Sequence, residues 1–450
     1  MNRLAYPLLL FAVACGVQQV TAQSSTAAPK PPRPDRTLTT APPSSPPEER
    51  PLRQREVQPA KPRARAEPES QTGADSEFAS STPAAPEAPS VAEAPRAGAA
   101  SRARVELVVA SIDVAQGEEQ RAFLLGSGAQ LLRRRTLANL GWVVSVFRLA
   151  PGASASALSA ELATRWPDAM PEPNQRYQAF GASGAGAPRE YARALIEWPV
   201  NCAVRARIAM LDGPVNRELS ALRGKRITMA SLTPPGTESN YQHGTALASL
   251  LLGHTSPTGL LPESELFAGV IMAQAEDGPY STTEWVLRGL DWALGIDPRP
   301  AALNLSFGGP RSAQIERALR RVLDVMPVVA AAGNSGKREV TFPAGYEGVI
   351  GVAAADANSR RWARANTGSH VTIAAPGVQV WALDAKGAGY YADGTSIAAI
   401  FVSAALALRA GSAPPAAEWL RQHTRDAGPD GQDLQFGHGV LAMNRHCPGG

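Results

Sequence analysis

The stretch Gly394-Thr395-Ser396-Ile397-Ala398-Ala399, which runs on through apolar residues to Leu408, decides how this chain is read. Asp393-Gly394-Thr395 is a small, flexible turn that delivers a serine to the first turn of a helix. The predicted helix, Ser396 to about Leu408, is apolar or small almost all round, so it should be buried. In the first turn of a helix the backbone N–H groups lack intrahelical partners and the macrodipole favours negative charge. A serine there suits a nucleophile whose reaction generates an oxyanion. It equally suits a plain N-cap, and a lone Gly-Thr-Ser would favour that simpler role. The remaining sequence decides between the two.

Upstream of this helix, strands and helices alternate from Ile196 onward. Arg207–Leu211 reads as a buried strand ending at Asp212, and His243-Gly244-Thr245 opens the apolar run Ala246–Leu252. Leu266–Met272, Ala301–Ser306, Pro327–Ala332, Gly348–Ala354 and Val371–Ala374 read as further strands. Thr283–Leu294 and Ser312–Val325 have helical spacing. Continuous apolar strands alternating with helices predict a mostly parallel sheet covered on both faces, an α/β fold of three layers, α/β/α. In such sheets chemistry gathers at the carboxyl ends of the strands. Asp212 and Asn334 both fall at predicted strand ends.

Four positions then form a constellation: Asp212, His243, Asn334 and Ser396. A serine hydroxyl is a weak nucleophile and needs a base within hydrogen-bond reach. A histidine serves, because its ordinary pKa lies near neutrality. A buried carboxylate fixes the imidazole tautomer and stabilises the imidazolium. A side-chain amide such as that of Asn334, with the backbone N–H of Ser396, can hold the oxyanion. The motifs around these residues resemble those of the subtilisin-like serine proteases, the subtilases. Leu211-Asp212-Gly213 resembles the aspartate motif and His243-Gly244-Thr245 the histidine motif. Ala331-Ala332-Gly333-Asn334-Ser335-Gly336 resembles the oxyanion motif, and Gly394–Ala398 the serine motif. The order Asp, His, Ser is that of subtilisin. Leu305-Ser306-Phe307-Gly308-Gly309 resembles the family's substrate-binding strand, along which an extended peptide would pair edge to edge. Phe436–Val440 resembles the family's C-terminal end. The likeness covers roughly residues 196–446 and implies a subtilisin-like fold, a serine endopeptidase acting through an acyl-enzyme, and protein or peptide substrates.

The chain before this domain divides into segments. Residues 1–22 read as a secretory signal: Arg3, an apolar run Leu8–Val17 too short to span a bilayer, then Val20-Thr21-Ala22. Lipid attachment at Cys15 is the rival reading, and Ala12 fits it poorly. Residues 23–104 carry 16 of the 39 prolines and one aromatic, Phe78, so they read as a disordered spacer. Residues 105–180 read as a small α+β unit: a strand at Val105–Val109, a helix over Gln120–Leu140, a strand at Gly141–Leu149 and a helix at Ser156–Thr164. Residues 181–195 read as a linker. The family commonly carries a small α+β pro-segment, and the likeness implies that 105–180 is one: a folding aid and intramolecular inhibitor, later removed. The peptidase domain is set at 196–447. The protein is expected outside the cytoplasm, secreted or in the periplasm or cell envelope.

Two departures from the family pattern stand out. Asp212 is followed directly by Gly213 and Pro214, where Ser or Thr and then Gly are usual. Ile400 and Phe401 stand where Pro and His are common. Both should alter the support of the site without removing a reacting group. The other histidines, His254, His370, His423, His438 and His446, show no metal-ligand spacing, so no metal site is expected. Calcium has no identifiable loop; Asp277-Gly278 and Asp356 read as solvated turns. No cofactor is expected. Cys202 and Cys447 would remain after signal removal, and export favours a disulfide between them. The formal net charge is +4 with the basic residues dispersed, which disfavours a nucleic-acid partner. A monomer is expected.

Overall fold

The computed structural model describes residues 105–179, 182–184, 189–200, 202, 204–255, 258–409, 414–445 and 447. The signal, the proline-rich tract and Cys15 lie outside these residues, as do Gly181, residues 185–188 and His446.

The first described unit comprises β1 (Glu106–Ser111), α1 (Val114–Gly126), β2 (Gln130–Leu137), β3 (Trp142–Arg148), α2 (Ala155–Arg165) and β4 (Met170–Pro173). Its strands form an antiparallel sheet in the order β2-β3-β1-β4. Asp113 and Ser154 start the two helices, each accepting a hydrogen bond from a first-turn N–H. The expected helix over Gln120–Leu140 is corrected. Helix α1 stops at Gly126, Gly128 takes a left-handed φ of +80°, and the chain turns into β2. Leu131-Leu132-Arg133-Arg134-Arg135 carries no strong strand preference of its own; pairing along the whole of β3 imposes one. The strand period of two sorts β1 between two cores. Leu107 and Val109 join Leu124, Phe147 and Leu162 inside the unit. Val108 and Ala110 face the larger domain, in one cluster with Leu287, Leu290 and Leu319.

The chain continues through β5 (Arg176–Ala179), β6 (Ala182–Gly184) and α3 (Tyr191–Leu195). The expected linker over 181–195 is therefore corrected as well. β6 pairs with a later strand, and Tyr191, Ala192 and Ile196 belong to the main core. Short Gly- and Ala-rich sequence carries no pattern of its own, so only a partner edge reveals it as a strand.

The large domain follows as β7 (Arg207–Asp212), β8 (Arg226–Ser231), α4 (Gln242–Leu252), β9 (Glu265–Val270), β10 (Ala273–Ala275), β11 (Gly278–Thr282), α5 (Thr283–Leu294), β12 (Ala302–Leu305), β13 (Phe307–Gly308), α6 (Ala313–Leu323), β14 (Val328–Ala331), β15 (Ile350–Ala355), β16 (Val371–Pro376), β17 (Val380–Leu383), β18 (Gly389–Asp393), α7 (Thr395–Ala407), α8 (Ala416–Gln422), β19 (Thr424–Arg425) and β20 (Val440–Leu441). Nine strands form one sheet in the order β19-β20-β16-β15-β14-β12-β7-β9-β8. All its pairings are parallel except β19 with β20. Both faces are covered. Ile208 and Met210 of β7 pack with α4 and α7, while Ala209 and Leu211 pack with α5 and α6. This is the expected three-layer α/β/α arrangement. A disulfide joins Cys202 to Cys447.

The small unit docks on α5 and α6. Arg133 forms an ion pair with Glu284 at 2.8 Å, and that carboxylate is almost wholly buried. Asp291 accepts from the N–H groups of Asn139 and Leu140 at 2.7 and 2.9 Å. Glu172 accepts from the N–H of Ala313 at 2.6 Å, placing a negative charge at the positive end of α6.

Candidate active site

Asp212 ends β7 at the carboxyl edge of the sheet and is fully buried. His243 enters on the first turn of α4, and Ser396 on the first turn of α7. The turn into α7 depends on Gly394, whose φ of 151° L side chains rarely adopt. The three side chains meet. His243 Nδ1 lies 2.8 and 2.9 Å from the two carboxylate oxygens of Asp212. His243 Nε2 lies 3.0 Å from Ser396 Oγ. A carboxylate only accepts, so it assigns the proton to Nδ1 and leaves Nε2 to accept from the serine hydroxyl.

The departure after Asp212 has a steric cause. A Cβ at position 213 would lie 2.8 Å from the carbonyl oxygen of Asn240, so no serine or threonine fits there. Gly213 supports the carboxylate through its backbone, donating its N–H to Asp212 Oδ1 at 2.7 Å. Gly244, next to His243, is held just as tightly: a Cβ there would lie 2.4 Å from the Gly213 carbonyl oxygen. At the second departure α7 runs unbroken from Thr395 to Ala407, with Ile400 and Phe401 buried in the main core.

Asn334 follows β14 after Gly333, which has a φ of +111°. Its Oδ1 accepts from both the N–H and the hydroxyl of Thr395, at 3.1 and 2.8 Å. Thr395 Oγ1 in turn accepts from the N–H of Gly333 at 3.1 Å. With its oxygen held this way, the Asn334 amide has a fixed orientation. The sequence reading assigned Thr395 no part. It stood in the quoted Gly-Thr-Ser stretch, but its partner lies 61 residues away.

The expected substrate-binding run Leu305–Gly309 divides. Leu305 is fully buried in the core shared with α5 and α6. Ser306 is also fully buried, and its hydroxyl donates to the Ser396 carbonyl at 3.2 Å, behind the nucleophile. Strand alternation turns the first towards α5 and α6 and the second towards α7, so neither side chain lines the cleft. Phe307 and Gly308 do pair with an extended chain: β13 is antiparallel to β5. On its other edge β5 pairs with β11, giving the order β10-β11-β5-β13. Beyond Ala179 the chain reappears as β6, paired antiparallel with β18. A cavity of about 260 Å³ lies beside the histidine, lined by His243, Asn240, Met272, Pro279, Tyr390 and Asp393 among others. Burial raises the pKa of Asp393, which also accepts from the N–H of Gln379.

Tyr177 anchors β5. It is 1 % exposed, its ring meets Phe307 edge-on at 6.1 Å, and its hydroxyl donates to the Pro310 carbonyl at 3.2 Å. A Cβ at Gly309 would lie 2.4 Å from that ring.

The remaining histidines stand apart from this constellation. His370 is buried with Nε2 3.2 Å from the Ala332 carbonyl oxygen, and burial lowers its pKa. His423 stacks on Trp419. Among the described residues no group of three or more His, Cys, Asp or Glu could hold a metal ion, and no helix is long and apolar enough to cross a membrane.

The model of the subtilase family matches residues 209–439. The chain is 30% identical over 215 residues to subtilisin DY of Bacillus licheniformis, a match covering 44% of this chain and 75% of that protein. It is 31% identical over 237 residues to subtilisin Savinase of Lederbergia lenta, covering 51% of this chain and 82% of that one. Its structure is similar to that of fervidolysin from Fervidobacterium pennivorans, a keratinolytic enzyme related to subtilisin, with a TM-score of 0.63. That likeness covers 76% of this chain and 60% of fervidolysin at 19% identity, and so concerns the fold. A match that begins within the strand leading to Asp212 and ends at Gly439 covers half of the sequence, and the chain therefore belongs to the subtilase family, the subtilisin-like serine endopeptidases.

Proposed function

We propose that this chain is the precursor of an exported endopeptidase that cuts extended polypeptide with Ser396, and that its own residues 105–180 are its first ligand. The line from Asp212 through His243 to Ser396 carries the reading. Ser396 Oγ attacks the scissile carbonyl carbon and passes its proton to His243 Nε2. Asp212 keeps the ring oriented and balances the imidazolium charge. The Asn334 NH2 group and the Ser396 N–H take the oxyanion. As the intermediate collapses, His243 gives the proton to the leaving amine. Water then hydrolyses the acyl-enzyme by the same path. No metal or other cofactor takes part in this scheme, and the enzyme works as a monomer.

The precursor reading rests on β5 and β6. Either side of residues 180–181 the chain pairs as a peptide substrate would, with β11 and β13 before and β18 after. The bond to be cut lies between Ala179 and Ala182. Full burial of Ser396 agrees with a cleft that the chain itself fills. Export rests on the character of residues 1–22 and suits the disulfide.

Mass spectrometry of the protein from an exporting host tests both parts. The expected result is a new N-terminus at 180, 181 or 182 and a fluorophosphonate adduct on Ser396. A chain that keeps residues 105–180 covalently attached and takes no label would end the proposal. The anchoring of β5 gives a graded prediction. Tyr177→Ala removes a buried ring worth about 3 kcal/mol, so the self-cut should slow by roughly 100-fold. Time courses of the cut from freshly refolded chain measure this, and an unchanged rate would show that Tyr177 does not set the position of β5.

A further inference from the structure

Asn366 lies in none of the motifs that mark the triad, yet it contacts the oxyanion loop on both sides of Asn334. It is 1 % exposed. Its backbone N–H donates to the Gly333 carbonyl at 2.9 Å. Its side-chain oxygen accepts from the N–H of Ser335 at 2.8 Å and from the Ser335 hydroxyl at 2.7 Å. Its NH2 group donates to the Glu339 carbonyl at 3.2 Å and to Thr341 Oγ1 at 3.0 Å. These bonds satisfy every polar atom of the side chain, so the amide has one orientation. The fit is close: a Cβ at Gly333 would lie 2.5 Å from Asn366 Nδ2.

Residue 334 is thus the one residue between two that Asn366 grips. Thr395 fixes the end of the Asn334 side chain, but Asn366 fixes the backbone from which that side chain starts. We propose that Asn366 is a positioning residue for transition-state stabilisation: it holds Gly333 and Ser335 so that the Asn334 amide meets the oxyanion and not the ground-state carbonyl. An oxyanion donor acts through placement to within a fraction of an ångström, and a shift of about 1 Å can cost 100-fold. The expected signature is a lower kcat with KM little changed, because peptide binding runs through β11 and β13.

The inference rests on the reading of Asn334 as an oxyanion donor, and a double-mutant cycle separates the two. In the mature enzyme, with kcat expressed per titrated active site, Asn334→Ala should lose roughly 100- to 1,000-fold, the scale measured for the like change in subtilisin. Asn366→Ala should lose about tenfold or more in the parent. In the Asn334→Ala background it should lose less than about twofold, because nothing remains to be positioned. Equal losses in both backgrounds would overturn the proposal and leave Asn366 a purely structural residue. If Asn334→Ala itself kept the parent kcat, the oxyanion reading would fall instead, and the positioning role with it. Should the alanine variant fail to mature, the same cycle is run with Asn366→Leu, which keeps the volume and removes the side-chain bonds, with the same two outcomes deciding.

Discussion

Ser396→Ala is expected to lower kcat for casein hydrolysis by about 10⁶-fold, the scale known for triad removal in subtilisin. The same substitution should leave the full chain uncut between Ala179 and Ala182. The argument is local. Removing Oγ takes away the nucleophile and the atom that His243 Nε2 meets at 3.0 Å. It leaves the backbone N–H at 396 and the Asn334 amide, so a residual rate above that in water should persist. Packing should be unharmed: α7 is buried among alanine, isoleucine and valine, and alanine is the best helix former. The variant also separates self-cutting from cutting in trans. If a trace of active enzyme cleaves Ser396→Ala at the same bond, the cleft of one molecule can serve another's β5. If purified Ser396→Ala cuts casein as fast as the parent, the triad reading is wrong. Because triad members act as a unit, His243→Ala should add little to the loss in the double variant.

The legible part of this molecule was the part that its backbone dictates locally. Gly244 had to be glycine because a Cβ there would lie 2.4 Å from the Gly213 carbonyl oxygen. Such a constraint leaves a short, sharp motif around His243, whereas Gly213 is where the chain departs from the usual pattern. The all-apolar run after Ser396 likewise announced a buried helix, and α7 is buried along its whole length. What escaped was whatever a distant segment decides. β2 became a strand because β3 lay beside it, and residues 182–184 because β18 did. Leu305 ends β12, in the middle of the sheet, and Ser306 follows it, so strand alternation aims their side chains at the core and at α7. Thr395 and Asn366 hold Asn334 and its neighbours across 61 and 31 residues of sequence. No periodicity records a pairing of that kind. The same division holds for the short edge strands: their pairing is made by backbone, so the sequence of β5 shows little sign that it will lie between β11 and β13.

Replacing both Cys202 and Cys447 by serine should destabilise the peptidase domain by about 5 kcal/mol, an upper-side figure for closing so long a loop. The bridge spans 245 residues, almost the whole domain. It ties the segment before β7, the strand that ends in Asp212, to the chain beyond β20. Two backbone bonds lie beside it: Met443 N–H donates to the Ile196 carbonyl at 2.7 Å, and Arg445 N–H to the Glu197 carbonyl at 2.9 Å. Without the bridge those bonds, the contacts of Arg425 with Glu197 and Leu195 and the packing of Ile196 with Met443 remain, but β19 and β20 form the edge of the main sheet, where fraying starts. For a domain of this size the loss corresponds to a fall in Tm of roughly 10–20 °C. The measurement belongs in the Ser396→Ala background, because an active protease digests its own unfolded molecules and turns a melting point into a rate. Dithiothreitol added to the disulfide-bonded Ser396→Ala chain should reproduce the shift, which distinguishes the bond from the side chains. A fall of less than about 2 °C in both experiments would mean that the two ends are held by packing alone. Activity of the otherwise native double-serine variant at 25 °C should stay within about twofold of the parent, since the bridge touches neither the triad nor the strands that hold the peptide. On these expectations the disulfide serves the lifetime of the folded domain and not the chemistry of a single turnover.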